Sequence, residues 1–238
     1  MNRALALSRF EAILLLRNRT AAGMALAMPL VFGALFAISK PSEDWTVGLT
    51  LQLVGALGLS VYVTSTIVLT ARRQDLTLKR LRGGESTDNE ILAGTLAPLA
   101  AVGLVQGVLM TAIALIAGAP APANPAALLL AIAAGISTGI SAGLLTAAIT
   151  STPETAQFTT GPYFFATFAG ALWTIATPAA EVQPWHLAAP GGAMAELARH
   201  GLTAPADARP LWWAVFAALA WTSGAWALGT RVFRWDRR

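Results

Sequence analysis

Apolar stretches alternate with short polar connectors along nearly the whole chain. They cover residues 21–39, 45–70, 91–118, 126–150, 158–177 and 211–230. Each approaches the length of about 20 residues that carries a helix across a bilayer. Pro29 and Pro98 fall inside two of them, which lipid-embedded helices tolerate as kinks. Residues 3–20 mix arginines with Leu5, Phe10, Ile13, Leu14 and Leu16, a pattern that suits a helix lying in the membrane interface. Residues 178–210 break the rule, with too many prolines, glycines and charges to span and too much apolar surface for a free linker. They predict two short helical pieces, broken at Pro190-Gly191-Gly192, in or on the outer interface. The expected fold is an all-α membrane protein with an interfacial helix at 1–20 and a six-span domain over 21–238.

Composition agrees with that pattern, because 55% of residues are hydrophobic and 12% charged, the signature of an integral membrane protein. The net charge of +4 is sorted along the chain. Four basic residues precede the first apolar stretch, five lie in 71–90 and four follow the last stretch, against Lys40, Arg199 and Arg209 in the alternate connectors. Basic residues collect on the cytoplasmic side, so both termini are expected in the cytoplasm, in a multi-pass protein of the cell membrane. Charge arranged in this way marks topology and not a nucleic-acid partner. Arg9, Glu11, Arg17 and Arg19 interrupt the N-terminal apolar residues, unlike a secretory signal. There is no cysteine, which excludes disulfides and thiolate chemistry.

The longest internal run of charge is 71–90, with Arg72, Arg73, Lys79, Arg80 and Arg82. Leu76, Leu78 and Leu81 lie among them, giving a short amphipathic helix that Gly83-Gly84 would end. It reads either as a solvated loop that sets topology or as a docking surface for a soluble partner. Within the apolar stretches, most hydroxyls are expected to bond their own helix or a neighbour. Gln52, Tyr62, Thr66 and Gln106 are the candidates for a substrate path. Gly135, Gly139 and Gly143 recur at four-residue intervals and read as internal helix packing.

Several chemistries are missing. No apolar stretch, as drawn, holds an ionisable residue in its interior, whereas proton-driven carriers use one. No GxxxxGK[S/T] sequence is present, so ATP hydrolysis by a phosphate-cradling loop is not expected in this chain. His186 and His200 lack HExxH spacing or a carboxylate constellation, and no serine stretch has a histidine or aspartate in reach. No catalytic or metal-binding residue is expected. A bundle without its own energy source suggests a subunit driven by something else.

The chain resembles the permease subunit of type-2 ABC transporters, a family that includes antibiotic and multidrug efflux permeases of actinobacteria. The resemblance rests on the interfacial helix around Arg9 to Arg19, on Arg73 followed by Thr77-Leu78-Lys79-Arg80-Leu81-Arg82, and on Pro190 with Ala195-Glu196-Leu197-Ala198-Arg199 before the last span. Gly83-Gly84-Glu85-Ser86 stands where the family usually has a proline. The resemblance implies that 71–90 is a coupling helix, with Thr77, Leu78, Lys79, Arg80 and Leu81 seated in a cleft of a separate ATPase subunit. It also implies a re-entrant pair of helices at 178–210, and an assembly of two permeases, identical or related, with two ATPase subunits that carry ATP and magnesium. No cofactor is then expected in this chain, and lipids surround it. The implied function is export of a hydrophobic or amphipathic compound such as a drug or antibiotic. The alternatives are a lipid or polysaccharide exporter, a non-transporting membrane scaffold and an intramembrane enzyme.

Overall fold

The computed structural model describes residues 31, 45–206 and 209–236. All elements among them are helical: α1 (Trp45–Gln74), α2 (Thr77–Arg82), α3 (Asp88–Ile116), α4 (Pro125–Ile149), α5 (Pro153–Thr159), α6 (Gly161–Ala176), α7 (Pro184–Ala188), α8 (Gly192–Leu202) and α9 (Leu211–Val232), with one 3-10 turn at Ala179–Glu181. Four of these, α1, α3, α4 and α9, are long and apolar enough to cross a membrane. The expected interfacial helix at 1–20, the stretch 21–39 apart from residue 31, and the polar turn 40–44 lie outside the described residues.

Two boundaries differ from the sequence pattern. α1 runs past Thr70 to Gln74, so Arg72 and Arg73 belong to a helix and not to the loop. The stretch 158–177 holds two helices that meet at Thr160, whose backbone stays helical. At 16 residues, α6 measures about 24 Å, less than a bilayer core of about 30 Å.

Local chemistry explains the starts. Thr87 and Glu90 form a capping box on α3, with the Thr87 amide donating to Glu90 Oε2 at 2.8 Å and the Glu90 amide to Thr87 Oγ1 at 3.3 Å. Asn124 Oδ1 accepts from the Ala127 amide at 3.2 Å, ahead of Pro125 at the first position of α4. Thr152, followed by Pro153, caps α5 in the same way. In the middle of α1, residues Gly58–Val63 form a π turn, and Thr64 Oγ1 donates to the Leu59 carbonyl at 3.2 Å.

α4 is the centre of the bundle, in contact with α1, α3, α8 and α9. Its glycine stripe makes this close approach workable, as the internal-packing expectation required. A Cβ at Gly143 would lie 2.7 Å from Ser65 Cβ, and one at Gly135 2.7 Å from Met194 Sδ. One apolar core gathers Leu53, Leu57, Met110, Ile132 and Met194. Another gathers Leu69, Leu78, Leu92, Leu144, Phe233 and Trp235 at the end where α1 and α9 finish, called here the loop end. A third, built from Ala131, Ala193, Leu197 and Ala214, joins α4, α8 and α9 near the far end.

Candidate functional site

At the loop end, α1 turns into α2 through Leu76 in the left-handed conformation, φ 57°. The turn that leaves α2 needs no such backbone, since Gly83 has φ −71°. The helix is therefore ended without a left-handed glycine. Leu78, implied by the resemblance as a cleft contact, is 0% exposed and belongs to the loop-end core, so in this chain its side chain packs on the chain's own interior. Thr77 and Leu81 are half-buried, and Lys79 and Arg80 are exposed. The surface left for another molecule consists of Lys79 and Arg80, flanked by Leu76, Leu81 and Arg82. Lys79 pairs with Asp236 at 2.6 Å and Arg82 with Asp88 at 2.9 Å. Arg80 has no ion pair among the described residues.

Arg73, which the sequence pattern puts in the charged run 71–90, is completely buried. Its Nη1 donates to the Ala147 carbonyl at 3.0 Å and its Nη2 to the Thr150 carbonyl, with Ser151 O at 3.5 Å. Ala147 lies in the last turn of α4, where carbonyls lack intrahelical partners, and Thr150 is its C-cap. A cation there also meets the negative end of the helix dipole. Arg73 thus fixes the end of α1, and with it the base of α2, to the end of α4. The sequence does carry the signal, because Tyr62, Thr66, Leu69 and Arg73 follow one another at helical spacing on a single buried face.

The four candidate path residues have different surroundings. Tyr62 is buried, with its hydroxyl 3.1 Å from Thr146 Oγ1 and donating to the Thr160 carbonyl at 3.3 Å. Its ring lies 5.0 Å from that of Tyr163, which in turn lies 6.3 Å from Trp221. Thr66 is buried and donates to the Tyr62 carbonyl at 3.2 Å, with Gly143 O at 3.3 Å, so its hydroxyl serves the α1–α4 contact. Gln106 is buried on α3 and Gln52 half-buried on α1. Of the four, Tyr62 alone lines the cavity between α1, α4, α6 and α9, together with Gly135, Thr138, Tyr163, Phe164 and Trp221. That cavity measures ≈ 40 Å³, room for a few waters at most and too little for a drug-sized solute. A wider apolar cleft of ≈ 550 Å³ opens on the side of α9, lined by Trp213, Phe216, Trp221, Leu228, Leu187 and their neighbours.

The far end holds a second buried arginine. α7 and α8 form a bent pair around Gly191, φ 81°, which lies against the Thr167 carbonyl of α6. Trp221 Nε1 donates to the Ala188 carbonyl at 3.0 Å, while Met194 lies beside Gly135 and Gly201 beside Leu128. On α8, Arg199 donates to the Thr174 and Thr177 carbonyls and so caps α6. Its Nε is 3.3 Å from Glu196 Oε2, and His200 Nε2 is 3.6 Å from Glu196 Oε1. α8 places Glu196 and His200 one turn apart on one face. Glu196 is 1% exposed, an ionisable group in the interior of the described bundle. Among the described residues no group of histidines and carboxylates could hold a metal ion.

No protein-family model matches the chain, and no curated protein matches it.

Proposed function

We propose that the chain is the membrane permease subunit of an ATP-driven ABC exporter that moves a hydrophobic or amphipathic compound out of the cell. The observation that carries this reading is α2. It is a basic helix of 6 residues, rooted in the loop-end core by Leu78 and joined to a buried brace at Arg73, with Lys79 and Arg80 turned outward. A mobile, solvated loop needs neither anchor. A rigid one transmits a push from an ATPase subunit to the ends of α1, α3 and α4.

Two further features support the reading. Among the described residues, Arg199 and Arg209 are the basic residues away from the loop end, and both are spent on backbone carbonyls. The exposed positive charge gathers at the loop end, which supports a cytoplasmic loop end and the expected topology with both termini inside. α7 packs on α9, and α8 runs along α4 over about 10 Å, the rise of the seven steps from Met194 to Gly201. This supports reading the two helices as a re-entrant pair on the outer side. The proposed permease has six spans, the four long helices together with the apolar stretch 21–39 and the α5–α6 pair. The interior cavity is too small for the solute, so the path runs between this copy and a second permease. Two ATPase subunits with ATP and magnesium complete the assembly.

Inverted membrane vesicles containing the chain and an ABC ATPase encoded in its genomic neighbourhood provide the test. ATP-dependent accumulation of a fluorescent lipophilic amphiphile is expected, and it disappears when either subunit is omitted. Accumulation that is the same without this chain rules the reading out.

A further inference from the structure

The last described residues reach back over α2. Phe233 and Trp235 are buried in the loop-end core, with the Arg73 guanidinium 5.8 Å from the Phe233 ring and that of Arg82 5.0 Å from the Trp235 ring. These rings fix the tail in place. Beyond them Asp236 meets Lys79 at 2.6 Å, with the two side chains 73% and 61% exposed.

We propose that Asp236 is an internal stand-in for a partner's carboxylate, holding Lys79 until an acidic surface of the ATPase subunit displaces it. This rests on the function proposed above and concerns the regulation of that same docking surface. The three cations of α2 are differently committed. Arg82 is paired with Asp88, six residues away, and also packs on Trp235. Arg80 has no ion pair among the described residues. Among the three, Lys79 is the one whose ion-pair partner lies on a distant segment, 157 residues along the chain. That contact can be exchanged cheaply, because an ion pair in water contributes little and is screened by salt. The buried rings keep the tail docked while its carboxylate tip lets go. Hydrogen bonding to Lys79 holds the Asp236 carboxyl below the usual carboxylate range, so the stand-in is charged at neutral pH. The partner surface must supply at least one carboxylate for Lys79 beside one for Arg80.

The test measures affinity of the purified ATPase for the full chain in nanodiscs. Asp236→Asn removes the competitor, and binding about two- to fivefold tighter than wild type is expected from the range of exposed ion pairs. Lys79→Gln weakens binding, and Asp236→Asn added to it changes nothing more. Unchanged or weaker binding by Asp236→Asn overturns the exchange, as does a gain that persists in the Lys79→Gln background. Either result leaves the permease reading intact if Arg80→Glu still abolishes binding. A wild-type chain that binds no ATPase overturns both. Because the two exposed residues contribute little to the fold, matching melting temperatures are expected for all these variants.

Discussion

The Arg73 guanidinium donates to the Ala147 carbonyl at 3.0 Å across the loop end of the bundle. With the bond to Thr150, one cation closes the end of α4 and anchors the helix that leads into α2. Arg73→Met leaves those carbonyls without their donor and is expected to cost about 2–4 kcal/mol. Arg73→Lys recovers only part of this, because one ammonium does not reproduce a planar fork. Thermal unfolding in detergent checks both variants. A melting temperature unchanged in Arg73→Met contradicts the brace.

Substitutions at two glycines separate packing from helix propensity. At Gly143 an added methyl meets Ser65 Cβ at 2.7 Å and the Tyr62 carbonyl at 3.0 Å, and Gly143→Ala is expected to destabilise by about 1–3 kcal/mol. At Gly224 nothing lies within 4 Å. Gly224→Ala is therefore neutral, or stabilising by up to about 1 kcal/mol through helix propensity. Equal effects at the two sites would place the α1–α4 contact elsewhere.

Leu78 behaves as a core residue in this account, despite its place in the basic helix. Leu78→Ala is expected to cost about 2–5 kcal/mol, in the range of buried leucines, seen as a lowered melting temperature of the isolated chain. A variant that keeps its stability and loses only a binding partner would return Leu78 to the docking surface.

Much of this architecture is legible in local chemistry. Thr87 with Glu90, Asn124 before Pro125 and Thr152 before Pro153 mark three helix starts, and Pro190-Gly191-Gly192 marks the bend between α7 and α8. These signals act over a few residues, so the sequence displays them directly. The buried arginines are harder to find. Arg73 and Arg199 look like solvated charge until the carbonyls of another helix, 74 and 25 residues away, are brought to them. Leu78 is one of three leucines in a basic run, and only the position of Leu144 and Trp235 makes it an interior residue. Thr66, proposed for a path from its polarity, turns out to bond backbone at a helix crossing. Polarity in an apolar segment reports the need for a partner, without saying whether that partner is a solute or a neighbouring helix.

Tyr62 ties α1 to both α4 and the α5–α6 junction through its hydroxyl. Tyr62→Phe is expected to lower stability by about 1 kcal/mol. Thr146→Val removes one of the same two bonds, so the double variant costs less than the two single variants added together. Strict additivity in thermal unfolding contradicts a shared hydrogen bond.

The central claim is that the loop end receives an ATPase subunit on Lys79 and Arg80. Copurification of that ATPase with detergent-solubilised wild type and with Arg80→Glu tests it most directly, since the Arg80 side chain is exposed and its reversal leaves the core untouched. The account predicts that the wild type retains the ATPase and the variant, equally stable, loses it. Retention by both to the same extent, or by neither, contradicts it.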